Sequence, residues 1–402
     1  MPPLREMRVL LLCISPSRDT GEINAEALSA ADWSQLCDLS AWHGIFPLLA
    51  SRLLATSSQQ PAIQLPEVIT AGLKTHQGIR LRGSLRLTAS LVELMLEFER
   101  SGIRVLPWKG LSLGMLLYGS TALRESGDLD FLFQKKDLPA VLRITHDLGY
   151  ELAGHHTSRS AYLYTLGLQG EFPFLRDQDK AALEFHLQIL PARFSRWQNT
   201  PADIERASTV CKLAGHEFLM QRPEDMLLSL CAHATKHNWE RLKWSCDIAQ
   251  FLKTYGETMD WKPFLACLRR ERKDAVVLLG LSLGAKLFNA TLSPIAQEEL
   301  RQSPGIASLS EAVAAHILSG SADTIEAWHE EAMVALLCPS VWDRFVFKAR
   351  PIFDLNGDDF YIPAENRMLF FMNYLFRAAR LLKKYGLRRL LGKTAVAVRS
   401  AR

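Results

Sequence analysis

The chain has 402 residues, of which 48% are hydrophobic and 22% are charged, and its formal net charge is +4. This composition excludes an intrinsically disordered protein, and the length predicts about two or three domains. No apolar run approaches the roughly 20 residues that a membrane-spanning helix needs, so we expect no transmembrane segment. Seven scattered cysteines without a Cys-x-x-Cys pair favour buried thiols in a reducing cytoplasm over a disulfide framework or a zinc site.

The first hundred residues carry helical patterns. Apolar residues recur at helical spacing between positions 25 and 55. A second stretch, from Pro66 to Gly102, predicts one or two further helices, and Gly102 ends it because glycine is a common helix stop. We therefore assign residues 1–100 to an N-terminal helical region.

Residues 102–133 are typical of a strand, a glycine turn, a short helix, a loop and a second strand. Apolar residues at 103–106 suit the first strand, and Lys109 with Gly110 closes it. Residues 111–117 suit a packed helix of about two turns. In the second strand side chains alternate between faces, so Asp128 and Asp130 are predicted to project from the same face.

Asp128 and Asp130 are the only charged residues of the strand at 128–133. Neighbouring carboxylates repel each other, and their burial is costly unless a cation compensates. Carboxylate oxygens suit Mg²⁺, which proteins usually hold with one or two carboxylates together with substrate phosphates. The pattern therefore predicts a metal-dependent site for nucleotide phosphates. A second Asp-x-Asp, at 177–179, lies in a polar turn between basic residues and is predicted to be solvated.

From residue 135 onward the sequence predicts helices interrupted by hairpins. A helix is predicted at 135–148, and a β-hairpin is predicted at 171–187, where Glu184 and His186 share one face of the second arm. Helices are predicted throughout 201–320, with a break near Asn238. A small hairpin at 353–363 and a basic amphipathic helix at 366–391 follow. We expect an α/β core at 101–195, a helical domain at 200–335 and a C-terminal segment at 336–402.

Two motifs follow each other along the chain. The first consists of Lys109-Gly110, a helix that ends in Tyr118, Arg124 and the Asp-x-Asp strand. The second consists of residues 230–249 (L-C-A-H-A-T-K-H-N-W-E-R-L-K-W-S-C-D-I-A). Together, over roughly residues 30–260, they resemble the uncharacterised nucleotidyltransferase family within the DNA polymerase beta-like superfamily. The resemblance implies an α+β fold, with a small mixed β-sheet nucleotidyltransferase core flanked by N-terminal and C-terminal helical regions. It also implies an enzyme that moves a nucleoside monophosphate from a nucleoside triphosphate, using a divalent metal.

The resemblance also implies roles for particular residues. Asp128, Asp130 and Glu184 would hold two Mg²⁺ or Mn²⁺ ions and carry the catalysis. The residues implied at the nucleotide phosphates, with ATP as the default donor, are Lys109, Gly110, Ser112, Arg124 and Lys236. Gly119-Ser120 matches the family's glycine dipeptide better by letter than Lys109-Gly110 does. We prefer Gly110 because a strand precedes it and a helix follows, whereas Gly119 suits a helix cap.

Several polar residues have open interpretations. His186 either hydrogen-bonds Glu184 or is a structural polar residue. His233 and His237 have the i, i+4 spacing of metal-binding histidines, but no H-E-x-x-H motif is present, so packing or a nucleotide contact is favoured over zinc. Asp247 is interpreted as a buried structural carboxylate.

The C-terminal segment is strongly basic. Residues 367–402 carry ten basic residues and no acidic one. This charge suits an anionic surface or nucleic acid, although a solvated face of a docked helix is the simpler interpretation.

Two alternatives to a metal-dependent nucleotidyltransferase of unspecified acceptor stay open. One is a non-catalytic member of the fold that binds nucleotide or a partner, and the other is a nucleotidyltransferase directed at nucleic acid. The acceptor, whether a small molecule, a sugar, a peptide or a protein, is not specified by the sequence.

Overall fold

The computed structural model describes residues 5–16, 31–60, 63–153, 170–190, 204–319, 327–353 and 371–380 without position 378. It also describes the single positions 28, 163, 166, 167, 194 and 355. Within these residues the predicted α+β class is confirmed, because helices surround a small mixed sheet.

The N-terminal region is helical, as predicted. Its helices are α1 (Arg5–Ile14), α2 (Trp33–Trp42), α3 (Phe46–Gln59) and α4 (Glu67–Arg100). Asp32 caps α2, since its side chain accepts a hydrogen bond from the backbone N–H of Gln35. The stretch after Pro66 is a single helix of 34 residues. Its glycines do not break it, because the packing of its C-terminal half outweighs the weak helix propensity of glycine.

A five-stranded mixed sheet forms the centre of the molecule, with the strand order β1-β2-β5-β4-β3. The strands are β1 (Leu106–Trp108), β2 (Asp128–Leu132), β3 (Glu151–Leu152), β4 (Glu171–Arg176) and β5 (Ala181–His186). Helix α5 (Gly110–Tyr118) connects β1 to β2, and α6 (Leu138–Asp147) follows β2. The predicted hairpin is confirmed as β4 and β5, and the first strand lies slightly later than predicted. Strands β2 and β5 run parallel, and their other neighbours are antiparallel.

The prediction of helix throughout 201–320 is wrong for residues 209–220. Strands β6 (Thr209–Leu213) and β7 (His216–Met220) form an antiparallel hairpin there. Its two loop residues, Ala214 and Gly215, have φ angles of +49° and +80°, as expected of a tight hairpin turn whose twist matches that of the strands. The buried residues alternate with more exposed ones, so the true period is two rather than 3.6. The buried positions are Cys211, Leu213, Phe218 and Met220.

The described residues after the hairpin are mainly helical. The helices are α7 (Pro223–Lys236), α8 (Leu242–Tyr255), α9 (Trp261–Glu271), α10 (Asp274–Phe288), α11 (Pro294–Arg301), α12 (Pro304–Leu318), α13 (Ala327–Leu337) and α14 (Val341–Phe353). The predicted break near Asn238 is confirmed, because Asn238 and Trp239 have φ angles of +55° and +53° between α7 and α8. The indole of Trp239 is fully buried, and its Nε1 donates to Oγ1 of Thr235 at 3.0 Å. This contact holds the turn against α7.

Apolar packing covers one face of the sheet, and the acidic residues of β2 and β5 lie on the other. The largest core joins the N-terminal helices to the helices after the hairpin, so that Leu10 and Phe251 belong to the same cluster. A second core lies between the sheet and α4, where the ring of Phe98 lies 6.5 Å from that of Phe131 and 5.7 Å from that of Phe185. Since Phe131 and Phe185 occupy this packed face, the acidic residues next to them project from the opposite face.

Close packing at Gly280 predicts a large effect of a small change. A Cβ atom at Gly280, in α10, would lie 2.5 Å from Sγ of Cys231 and 3.1 Å from the ring of Trp239. Gly280→Ala is therefore expected to lower the free energy of unfolding by about 1–3 kcal/mol, measured by urea denaturation. Gly83→Ala is the matched control, because Gly83 lies inside α4 with nothing within 4 Å of its Cβ position. That substitution should be stabilising, and equal effects at the two positions would contradict this account of the packing.

Parts of the C-terminal prediction lie outside the described residues. This applies to most of the hairpin at 353–363 and of the basic helix at 366–391, although 372–377 and 379–380 are helical. The contact of 367–402 with an anionic surface or nucleic acid stays a prediction, and so does the division into domains. In the described part of the chain, every helix is too short or too polar to cross a lipid bilayer.

Candidate active site

The register of two strands brings the predicted carboxylates together. Strands β2 and β5 pair in parallel, with Asp130 opposite Glu184 and Leu132 opposite His186. Paired residues in register project from the same face, so Asp130 and Glu184 lie side by side above the sheet. In the described part of the chain, one group of His, Cys, Asp and Glu residues brings three possible metal-ligand atoms within 4.8 Å of one another. It consists of Asp130, Glu184 and His186.

The charge balance differs sharply between the two aspartates. Burial first, and then repulsion from Asp130 and Glu184, raise the pKa of Asp128 to about 6. Burial by itself would also raise the pKa of Asp130, but the ammonium group of Lys109 and the hydrogen bond with His186 outweigh it and hold that pKa at about 2. The hydrogen bond with His186 also lowers the pKa of Glu184. The site therefore has more negative charge than its own cations neutralise, which favours a bound cation.

His186 contacts two of the carboxylates. Its Nε2 lies 2.9 Å from Oδ1 of Asp130 and 3.5 Å from Oε2 of Glu184. The side chain is almost fully buried, and its Nδ1 has no hydrogen-bond partner, with Oε1 of Glu171 at 4.0 Å. Alternation along the strand correctly places His186 on the face of Glu184. Sequence reasoning missed the contact of His186 with Asp130, which depends on the register of β5 against β2.

Lys109 lies at the turn between β1 and α5. Its Nζ is 3.3 Å from Oδ1 of Asp130 and 3.8 Å from the centre of the Trp108 ring. The backbone of Lys109 has φ +59° and ψ −144°, a conformation that residues with a side chain rarely adopt and that costs about 1–3 kcal/mol. This backbone conformation places the ammonium group of Lys109 beside the carboxylate of Asp130. The predicted contact with a nucleotide phosphate stays a prediction.

Gly110 begins α5, as predicted, and has φ +50°. A Cβ atom there would lie 3.1 Å from Oγ of Ser126 and 3.5 Å from the carbonyl oxygen of Asp128. The turn therefore packs closely against the start of β2, and the absence of a side chain permits it. Ser112 is buried in the first turn of α5, and its role at the phosphates stays a prediction. Gly119 has φ +69° and ends the helix, which is the capping role predicted for it.

The guanidinium group of Arg124 is bound within the protein. Its Nε and Nη2 donate to both oxygens of Asp247 at 2.9–3.1 Å, and its Nη1 lies 3.5 Å from the carbonyl oxygen of Gly110. The hydroxyl of Tyr118 donates to Oδ1 of Asp247 at 2.8 Å. Both charged side chains are buried, with 9% of Arg124 and 1% of Asp247 exposed. These contacts agree with the interpretation of Asp247 as structural, and a phosphate contact of Arg124 stays a prediction.

Helices α7 and α8 form a basic and aromatic wall beside the acidic face. Nζ of Lys236 lies 3.6 Å from Oε1 of Glu171. The ring of His233 lies 6.5 Å from that of Trp108, and the ring of His237 stacks on Trp244 at 5.4 Å. Burial, followed by nearby cations, lowers the pKa of His233 and brings that of His237 to about 4. Both imidazoles are therefore neutral near neutral pH, which agrees with either of the two predicted roles, packing or a nucleotide contact.

A family model described as uncharacterised nucleotidyltransferase matches residues 29–289. No curated protein matches the sequence.

Solved structures give distant matches. The solution structure of the antibiotic-resistance factor ANT(2'')-Ia has 12% identity and a TM-score of 0.35, over 46% of this chain and 93% of that one. The crystal structure of ANT(2'')-Ia with adenylyl-2''-tobramycin has 11% identity and a TM-score of 0.28, over 55% and 99%. An antigenic nucleotidyltransferase-like protein from Paracoccidioides brasiliensis has 15% identity and a TM-score of 0.29, over 51% and 94%.

Proposed function

Because this chain belongs to the uncharacterised nucleotidyltransferase family, we propose that it transfers a nucleoside monophosphate from a nucleoside triphosphate to an acceptor hydroxyl or phosphate and releases pyrophosphate. Membership of the family confirms the predicted family and the predicted class of enzyme, a transferase. One observation carries the proposal for this site: Asp130 and Glu184 lie in register on adjacent parallel strands, and Asp128 shares their face.

The ligand atoms at this site suit a divalent cation. Burial, and then repulsion from Asp130 and Glu184, raise the pKa of Asp128, and the ligand atoms of Asp130 and Glu184 are close enough to share one ion. Asp128, Asp130 and Glu184 would hold Mg²⁺ or Mn²⁺. When bound, such an ion supplies a Lewis acid for the phosphate oxygens and lowers the pKa of an acceptor hydroxyl.

The phosphates of the donor are expected near the start of α5. The N–H groups of the first helical turn have no partner within the helix, so they offer hydrogen bonds and partial positive charge to phosphate oxygens. Lys109 and Lys236 flank the carboxylates and offset the charge that builds up on the leaving pyrophosphate. Arg124 acts through Asp247 and the carbonyl of Gly110 in this proposal, by fixing the turn from which the helix begins. We take ATP as the default donor.

Glu184 is the more accessible proton acceptor of the two carboxylates that pair across β2 and β5. Its side chain is 43% exposed, whereas that of Asp130 is 8% exposed, so an acceptor molecule can reach Glu184 from solvent. In the proposed reaction the acceptor oxygen attacks the α-phosphorus and its proton moves to the Glu184 carboxylate. The bond between the α-phosphorus and the bridging oxygen breaks, and pyrophosphate leaves with the bonding electrons.

A double-label experiment tests the reaction class. The protein is incubated with host lysate, Mg²⁺ or Mn²⁺, and each nucleoside triphosphate labelled in turn at the α- or the γ-phosphate. We expect label from the α-phosphate in an acceptor and label from the γ-phosphate in pyrophosphate, and EDTA should abolish both. Transfer of the γ-label to an acceptor would identify a kinase instead. Absence of α-label transfer with all four nucleotides would contradict the proposal.

A further inference from the structure

His186 has the position of a metal ligand rather than that of a purely structural polar residue. Its Nε2 faces the gap between two carboxylates, at 2.9 Å from Asp130 and 3.5 Å from Glu184. All three side chains supply a donor atom within 4.8 Å of the others. Imidazole nitrogen is a ligand that suits divalent transition metals, and carboxylate oxygens suit Mg²⁺ and Mn²⁺.

The other nitrogen of the same ring supplies an independent observation. Nδ1 of His186 is buried without a hydrogen-bond partner, in a side chain that is 3% exposed. Glu171 pairs with His186 across β4 and β5, and its Oε1 lies 4.0 Å from Nδ1. Metal-ligating histidines almost always donate their second N–H to a carboxylate, carbonyl or water, which fixes the tautomer and the ring. Glu171 stands where that acceptor is needed.

The hydrogen on Nε2 decides between two roles. Without a cation, burial disfavours the charged ring, but the hydrogen bonds with Asp130 and Glu184 outweigh burial and raise the pKa of His186, so Nε2 carries a hydrogen between the two carboxylates. With a cation in that position the ring hydrogen stays on Nδ1, which faces Oε1 of Glu171 at 4.0 Å, and the Nε2 lone pair is directed between Asp130 and Glu184. Nζ of Lys236 lies 3.6 Å from the same Glu171 oxygen and helps to hold that side chain in place. In the second arrangement a cation takes the Nε2 lone pair, and a small movement of Glu171 would bring its Oε1 within hydrogen-bond distance of Nδ1.

We infer that Nε2 of His186 is a direct ligand of the cation, oriented by Glu171, and that the site binds a first-row transition-metal dication in preference to Mg²⁺. The inference rests on the proposed function for the presence of a cation between the carboxylates. Imidazole nitrogen is a better ligand for transition metals than for Mg²⁺, which favours oxygen. Lys109 also contacts Asp130, and a dication with twice its charge is expected to displace its ammonium group from the carboxylate.

Pulsed electron paramagnetic resonance of bound Mn²⁺ tests the inference without turnover. The full chain loaded with Mn²⁺ should show ¹⁴N modulation from a directly bound imidazole, and His186→Gln should remove it. Glu171→Gln should keep the modulation but weaken Mn²⁺ binding about 10–100-fold, as expected for loss of the residue that orients a ligand. His146→Gln is the matched control and should change neither property, because His146 is an exposed residue of α6. A competition titration of the wild type should show Mn²⁺ binding at least about tenfold tighter than Mg²⁺.

The outcomes separate this inference from the proposed function. Mn²⁺ that binds without ¹⁴N modulation, or modulation that survives in His186→Gln, would overturn the histidine ligand and leave a carboxylate-only site with the proposed function intact. Equal affinity for Mn²⁺ and Mg²⁺ would overturn the metal preference. Absence of Mn²⁺ binding would overturn the inference and the proposed metal-dependent reaction together.

Discussion

Asp130→Asn is expected to lower nucleotidyl transfer by about 10³-fold or more, because it removes the most buried negative charge of the site. Metal-assisted stabilisation of a phosphoryl transition state is worth several kcal/mol, and each 1.36 kcal/mol corresponds to about tenfold in rate. The amide keeps the shape of the carboxylate, so the fold should persist. The measurement is the initial rate of α-label transfer, combined with circular dichroism to confirm folding.

The second Asp-x-Asp of the chain provides the control for Asp130→Asn. Asp177 lies in the turn between β4 and β5 with its side chain 87% exposed, paired with Lys180. Asp177→Asn changes the same chemical group away from the site and should leave the rate unchanged. A folded Asp130→Asn protein that retained more than about a tenth of the wild-type rate would remove the carboxylates from the mechanism.

Asp247→Asn is expected to lower the free energy of unfolding by about 3–5 kcal/mol, because it leaves the guanidinium group of Arg124 buried without its counter-ion. Asp247 accepts hydrogen bonds from both Arg124 and Tyr118, and 1% of its side chain is exposed. The measurement is the midpoint of urea denaturation and its slope.

An exposed ion pair provides the control for Asp247→Asn. Lys212 and Glu217 pair across the hairpin of β6 and β7 at 2.8 Å, with 77% and 61% of their side chains exposed. Glu217→Gln should leave the denaturation midpoint unchanged, because solvent screens such pairs. If Asp247→Asn were as mild, the contacts between Arg124 and Asp247 would not be a major source of stability.

The local parts of the site could be predicted from the sequence. Alternation along β2 correctly predicts that Asp128 and Asp130 share a face, and the polar turn at 177–180 correctly predicts the hairpin that carries Glu184. Both predictions use side-chain spacing within a few residues. The helix break at Asn238 is equally local, because it depends on a backbone conformation within a single turn.

The long-range parts could not be predicted from spacing. No pattern near Glu184 specifies that β5 lies parallel to β2 with Glu184 opposite Asp130, and only the family resemblance suggested that they meet. The contact of His186 with Asp130 depends on the same register. Arg124 and Asp247 are separated by 123 positions, so the buried ion pair appears only when helix α8 packs against α5 and the loop that follows it. The hairpin at 209–220 was missed because its Ala-Gly turn is a weak signal beside two apolar stretches.

The large core described above has a consequence for biosynthesis. Oγ of Ser15, next to α1, donates to the carbonyl oxygen of Phe288, 273 positions later, and α1 shares a core with α10. At translation rates of about 5–20 residues per second, the hydrogen bond between Ser15 and Phe288 therefore forms no earlier than roughly 15–55 s after Ser15 is synthesised. Helices α2 and α3, which also pack on α1, are synthesised much sooner, so only the part of this core that involves α10 is delayed. We therefore expect the N-terminal helices to pack on one another before they dock on α10.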